Sequence, residues 1–222
     1  MKNHIKIADE IARIGRMLYL KNMIAAAEGN ISARLSDTEI MVTGSGISKQ
    51  NITIDDLAVV DLKGNILQGF RKATSELKMH LAVYSARPDI GACVHSHAPN
   101  ATSFAVAGQS IPANVLPEMA LFIGEVPLVE YAPPGTEQVG ISLRPYLDDS
   151  NAFLLSNHGL LTVGTDLLEA YNRHETVEHC AHIIRLARQL GKVRSIPDED
   201  LERLGRMRQA AQTETRQRGQ KA

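Results

Sequence analysis

Two histidines at alternate positions close an apolar run, Ile90-Gly91-Ala92-Cys93-Val94-His95-Ser96-His97, and this segment restricts the possible folds more than any other. The run reads as a buried strand, whose successive side chains point to opposite faces. His95 and His97 then project to one side and Ser96 to the other. Two imidazoles side by side can share one divalent ion, although the pair alone also fits two histidines at a polar strand end. A catalytic zinc site commonly takes three protein ligands and keeps one position open, so a third ligand is expected elsewhere in the chain. His158 is the leading candidate, because it follows the short apolar strand Ala152-Phe153-Leu154-Leu155 and precedes Gly159, which relaxes the backbone at a strand end.

The rest of the chain supplies strands and helices of ordinary length. Ile7, Ile11, Ile14 and Leu18 recur at three- and four-residue steps and predict an amphipathic helix over 5–22. Four strand-like segments follow, ISARL, EIMVT, LAVVD and NILQG, separated by Ser-Asp-Thr, Gly-Ser-Gly and Lys-Gly-Asn turns. Thr74-Ser75 reads as the N-cap of a second helix with Leu77, Leu81 and Tyr84 on one face, ending near Pro88. A helix over 98–106, a strand in VPLVEY and a long helix from Asp166 to Gly191 complete the pattern, the last opened by an Asp166/Glu169 capping box. Arg203, Arg206, Arg208, Arg216 and Arg218 fall on a polar C-terminal helix that frays. No repeat or linker divides the chain, which predicts one mixed α/β domain over 1–222, with its core over about 7–190, a largely antiparallel sheet and a polar tail over 195–222.

Composition narrows the function. A chain of 222 residues buries roughly 70–75% of the surface its unfolded form exposes, so it needs no disulfide or structural metal to fold. Any metal is therefore expected to be functional. With 24 Lys+Arg against 25 Asp+Glu, the net charge of −1 argues against nucleic acid as the partner, while leaving room for a local anion pocket. Cys93 and Cys180 are too few for a disulfide framework and read as buried thiols in a reducing cytoplasm. Charges scattered through residues 1–18 interrupt any signal-peptide core, and the charge-free stretch 98–117 holds three prolines and a glycine, so no membrane segment is expected.

Other residues carry weaker signals. Glu76, beside a helix N-terminus, is favoured in its ionised form there, and a nearby metal would favour it further; it also fits a plain helix-dipole role. His80, four residues on, reads as structural support beneath Glu76. His174, His179 and His182 fall on the long helix and are expected on a solvated face or a subunit contact. Glu28-Gly29-Asn30-Ile31-Ser32 and Thr43-Gly44-Ser45-Gly46, together with Thr74 and Ser75, offer flexible backbone and hydroxyls to an anion, or ordinary turns. Neither glycine segment is a Walker A loop or a dinucleotide fingerprint.

Taken together, EGNIS, TGSGISK, the block Ser75-Glu76, Met79-His80, Val83-Tyr84, Arg87-Pro88-Asp89-Ile90, Val94-His95 and His97, then NHGLLTVG and the helix from Asp166, resemble the class II aldolase/adducin family over about residues 7–190. The resemblance implies a three-layer α-β-α fold with a mostly antiparallel central sheet, and a homotetramer with active sites at subunit interfaces. It makes His95, His97 and His158 the ligands of one Zn²⁺ per subunit, with Mn²⁺ or Co²⁺ as alternatives. It makes Glu76 the acid/base group and a metal contact when substrate is absent. Gly29, Asn30, Thr43, Gly44, Thr74 and Ser75 fall to the substrate phosphate. The implied reaction cleaves a ketose 1-phosphate, such as L-fuculose 1-phosphate or a 5-deoxy- or 5-methylthio-ribulose 1-phosphate, into dihydroxyacetone phosphate and an aldehyde. Glutamate at 76, where the epimerase branch carries aspartate, points to the aldolase branch. The three histidines set the chain apart from the non-enzymatic, adducin-like members.

One part of the pattern departs from the family's fuculose-phosphate aldolases, which supply tyrosines to the aldehyde half. Here Ile111-Pro112-Ala113 is followed by Asn114-Val115-Leu116, and no tyrosine follows Tyr171. Leu116-Pro117-Glu118-Met119 instead puts Glu118 where related dehydratases carry a base. Glu118 reads either as the acid/base group of a zinc-dependent methylthioribulose-1-phosphate dehydratase, the alternative reaction, or as an exposed helix-start carboxylate.

Overall fold

The computed structural model describes residues 2–219, with side chains described over 4–211, so residues 1 and 220–222 of the expected domain, and the side chains of Arg216 and Arg218, lie outside it. Among the described residues, eight strands form one sheet in the order β4-β3-β2-β1-β5-β8-β7-β6. They are β1 (Asn30–Arg34), β2 (Glu39–Thr43), β3 (Leu57–Asp61), β4 (Ile66–Gln68), β5 (Ala92–Ser96), β6 (Leu128–Val129), β7 (Ala152–Leu155) and β8 (Gly159–Gly164). Every pairing is antiparallel except β6 with β7. The helices are α1 (Lys2–Leu20), α2 (Leu77–Ala86), α3 (Pro99–Val106), α4 (Glu137–Leu143), α5 (Leu167–Leu190) and α6 (Asp198–Gly219).

The sheet separates two hydrophobic layers. One joins α1, α3 and α5 to Val94, Ala92 and Leu160; the other joins α2 and α4 to Cys93, Val163 and Phe153. This is the expected three-layer α/β architecture. Strand alternation puts Ala92, Val94 and Ser96 of β5 towards the α5 side and Cys93 and His95 towards α2.

Local chemistry sets the element ends. In α1, Ile11, Ile14 and Leu18 are fully buried, each contributing about 1.5–3 kcal/mol of burial. The helix stops in a Schellman motif: Met23 N–H donates to Leu18 O and Asn22 N–H to Tyr19 O, with Asn22 left-handed at φ 57°. In α5, Asp166 caps the Glu169 N–H as expected, but the Glu169 carboxylate reaches back to Thr165 N–H, one residue further than a capping box. The helix ends before Gly191.

Several expectations are corrected. The N-cap of α2 is Glu76 itself, since a turn from Thr74 O to Leu77 N–H precedes the helix. GLLTVG is β8, a strand absent from the pattern reading because it carries no polar alternation: all six residues are buried between β5 and β7. Residues 137–143 form α4, hidden among prolines and glycines. No helix among the described residues is long and apolar enough to cross a membrane.

Candidate metal and anion site

β5 delivers His95 from the centre of the sheet, and His97 lies one residue beyond its end. The tight β7–β8 turn, with Asn157 left-handed at φ 54°, brings in His158. One ring nitrogen from each of the three lies within 4.8 Å of the others. Gly159 is required here for room: a Cβ would sit 2.5 Å from Ser96 O and 2.9 Å from His97 Cδ2. Backbone relaxation, the expected reason, is secondary, because Gly159 is not among the positive-φ residues.

The second nitrogen of two rings is fixed. His95 Nδ1 donates to Leu160 O at 3.0 Å. His97 Nδ1 lies 2.9 Å from Glu28 Oε2, and the other Glu28 oxygen accepts from Ala25 N–H. A partner of this kind sets the tautomer and aims the Nε2 lone pair inward. Burial and the neighbouring His95 hold His97 below the usual imidazole range, against the pull of Glu28.

Glu76, at the start of α2, closes the cluster. Its Oε2 lies 3.1 Å from His95 Nε2 and its Oε1 3.0 Å from His158 Nε2. Burial works to raise its carboxyl, but the facing imidazoles outweigh it and hold the group well below the usual carboxylate range. Glu76 Oε1, His95 Nε2 and His97 Nε2 are buried yet form no aligned hydrogen bond. Leaving such atoms unsatisfied costs about 1–3 kcal/mol each. A divalent cation among the imidazoles would satisfy all three, so this donor set fits a metal.

A cavity of about 260 Å³ opens beside the cluster, bordered by Gly29, Asn30, Gly44, Thr74, Ser75 and Glu76, with His97 and His158 at its edge. Thr43 is not at its edge; its hydroxyl is buried and accepts from Ile31 N–H across the β1–β2 pair. The expected amide cradle is also largely spent: the N–H groups of Gly44, Ser45 and Thr74 donate to Asp56, Lys72 and Thr43 carbonyls. The hydroxyls of Ser45 and Ser75 border the cavity, as does that of Thr74, which accepts from Glu76 N–H and keeps its own hydrogen to give. One residue escaped the sequence reading: Lys49, 2% exposed, borders the cavity and donates to Ala27 O and Ile47 O. Burial pushes its ammonium down to about 8, against the attraction of the Glu28 and Glu76 carboxylates.

His174 corrects another expectation. It is fully buried, hydrogen-bonded to Ser96 and Thr162 hydroxyls beneath the strand that carries His95, and burial with His95 nearby pushes it down to about 3. His179 and His182 are exposed, as expected. Glu118 is exposed and borders a different cavity of about 520 Å³, with Glu175, His179 and Cys180. The fold of one chain does not bring it to the histidines. A cavity of about 480 Å³ between α5 and α6 holds ion pairs Arg87–Asp89 and Arg173–Glu169 and none of the cluster residues.

The chain matches the family model described as the class II aldolase and adducin N-terminal domain over residues 9–184. It is 34% identical over 174 residues to an L-fuculose phosphate aldolase of Methanococcus maripaludis, covering 78% of this chain and 93% of that one. It is 31% identical over 203 residues to a 3-oxo-tetronate 4-phosphate decarboxylase of Haemophilus influenzae, covering 88% and 96%. The solved structure of an L-fuculose 1-phosphate aldolase superposes with a TM-score of 0.84 at 32% identity, over 91% of this chain and 97% of that one. A match that takes in the strand pair, the histidine turn and both flanking helix layers makes this chain a member of the class II aldolase and adducin family.

Proposed function

We propose that the chain is a metal-dependent carbon–carbon lyase acting on a ketose 1-phosphate. The observation that carries this is the convergence of three buried or half-buried imidazoles with a carboxylate at their edge and an anion-sized cavity alongside. His95, His97 and His158 would hold one divalent ion, Zn²⁺ by ligand type, with Mn²⁺ or Co²⁺ as alternatives. Such an ion supplies Lewis-acid polarisation of the substrate's carbonyl and adjacent hydroxyl oxygens.

The chain's own residues do the rest. As the C3–C4 bond breaks, the C4 hydroxyl gives up its proton and becomes the aldehyde; Glu76, ionised at rest, takes up a proton and delivers it to C3, releasing dihydroxyacetone phosphate, and removes it in the condensing direction. Ser45, Thr74 and Ser75 hydroxyls, with Gly29, Asn30 and Gly44 as walls, receive the phosphate, and the Lys49 ammonium supplies the positive charge those neutral groups lack. The substrate is a sugar phosphate such as L-fuculose 1-phosphate or a 5-deoxy- or 5-methylthio-ribulose 1-phosphate. The working unit is a homotetramer with active sites at subunit interfaces, in a cytoplasm reducing enough to keep Cys93 and Cys180 as the free thiols they are.

Kinship with a 3-oxo-tetronate 4-phosphate decarboxylase favours a second reading. Loss of CO₂ from that β-keto acid and retro-aldol cleavage of a ketose 1-phosphate leave the same carbon to be protonated, so Glu76 would serve either. The test is product analysis. A panel of ketose 1-phosphates should yield dihydroxyacetone phosphate and an aldehyde; CO₂ release from 3-oxo-tetronate 4-phosphate alone would select the decarboxylase. A dehydrated diketone from 5-methylthio-ribulose 1-phosphate would select the dehydratase. Less than one metal per chain after growth with zinc would favour an adducin-like scaffold.

A further inference from the structure

Glu76 Oε2, the oxygen that faces His95, also begins a chain of buried polar groups. Asn30 Nδ2 donates to Glu76 Oε2 at 2.8 Å, and Asn30 Oδ1 meets His80 Nε2. His80 Nδ1 lies 2.7 Å from Ser32 Oγ, which lies 2.8 Å from Tyr84 Oη. Asn30, Ser32, His80 and Tyr84 are all buried, so water cannot substitute for a missing partner.

Donor and acceptor capacity leaves this chain one direction. A carboxylate can only accept, so the nitrogen of the Asn30 amide faces Glu76 and its carbonyl faces His80. A carbonyl can only accept, so His80 carries hydrogen on Nε2. Burial pushes His80 down to about 3, so the ring is neutral and Nδ1 is bare. Bare Nδ1 accepts the Ser32 hydroxyl hydrogen. Ser32, its hydrogen spent, accepts from Tyr84. Reversing any member sets two acceptors against each other, and the conflict ends at Glu76.

We infer that His80, held as the Nε2–H tautomer, is a positioning residue: it fixes the sense of the Asn30 amide, which pins Glu76 Oε2 and leaves Oε1 as the oxygen that moves the proton. Only the role of Oε1 rests on the lyase reading. The placement accounts for the asymmetry of the carboxylate, whose Oε2 accepts from Asn30 while Oε1 has no aligned donor. It also explains why a polar imidazole occupies a fully buried position of α2, between Met79 and Val83 and one turn below Glu76.

The test combines a half-reaction with a structural signature. In the metal-loaded protein, exchange of the C3 proton of dihydroxyacetone phosphate with solvent deuterium reads Glu76 without needing the natural aldehyde. His80→Leu should slow it by about 10–100-fold, the range for removing an outer-shell partner, with KM within about twofold and metal content unchanged. His80→Gln, whose amide can still donate to Asn30, should recover most of the loss. In an Asn30→Ala background His80→Leu should add less than about twofold, because both act through one hydrogen bond. Multiplicative losses, a change confined to KM, or Gln no better than Leu would overturn the inference. Imidazole ¹⁵N shifts of the wild-type protein should show His80 protonated at Nε2 and bare at Nδ1; the opposite tautomer would overturn it even if every variant unfolds. Absence of exchange in the wild type, with the expected tautomer present, would sink the lyase reading and leave the hydrogen-bond chain standing.

Discussion

Glu76 sits at the start of α2, so its carboxylate is held by a rigid element, and replacing that carboxylate by an isosteric amide separates metal binding from proton transfer. Glu76→Gln should keep one metal per chain, since three imidazoles remain, and lose about 10²–10⁴-fold in turnover, the usual worth of a general acid/base. Metal analysis and product formation check both halves; unchanged turnover would refute the role. Lys49 yields a pH dependence. Its folded pKa is about 8, so the ammonium is present below that pH and lost above it. Inorganic phosphate should therefore raise Tm at pH 7 and do so far less at pH 9.5, and Lys49→Met should abolish the difference. The histidines were legible because alternation in a strand leaves His95 and His97 no choice of side. Lys49 was not: a lysine in Ser48-Lys49-Gln50 looks solvated, and only the fold reveals that its ammonium is walled in by Ala27 and Ile47 carbonyls. Thr43 lies off the cavity edge, its hydroxyl accepting from Ile31 N–H of β1, a partner that the sequence does not reveal.

Elements place these groups, and α3 shows how. The helix begins straight after His97, and its first amides are satisfied from outside: Glu178 of α5 accepts from Asn100 N–H, Asn100 Nδ2 and Ala101 N–H. Glu178→Ala should destabilise the protein by about 2–3 kcal/mol, because it leaves donors at a helix N-terminus unpaired. Urea unfolding with an unchanged m-value would check this; a loss under about 0.5 kcal/mol would show that water replaces the carboxylate. Glu118 belongs to a different cavity, so Glu118→Gln should leave carbon–carbon cleavage within about twofold of wild type, and a large loss would favour the dehydratase. Elements with a clear period were legible, among them α1, β2, β3, β5 and α5. Those that fail to show one were not: β8 is buried on both faces, and α4 is a seven-residue helix between a proline-rich turn and Arg144-Pro145. The Asp166 cap was readable, whereas Glu178 as a cap for a helix 78 residues earlier has no local signature.

At the scale of the whole molecule, the cluster ties together parts of the chain that lie far apart in sequence. His95 comes from the centre of the sheet and His97 from just past the end of the same strand, His158 from the β7–β8 turn, and Glu76 and Glu28 from the start of α2 and the loop before β1. An ion held there favours the native state by mass action, about 2.7 kcal/mol when its free concentration is 100 times Kd. For a protein of this size each kcal/mol moves Tm by roughly 2–4 °C. Chelation should therefore lower Tm by about 5–10 °C, and zinc should restore it. The sign with pH follows from the ligands: the imidazoles must be neutral to bind, so the metal-dependent stabilisation present at pH 7.5 should weaken on acidification. His95→Ala should remove the metal-dependent part of Tm and leave the remainder, because β5 is held to β1 and β8 through its backbone and neither hydrophobic layer includes the His95 side chain. A Tm indifferent to chelator at pH 7.5 would mean that the three unsatisfied atoms are answered by water, and the metal reading would fall with it.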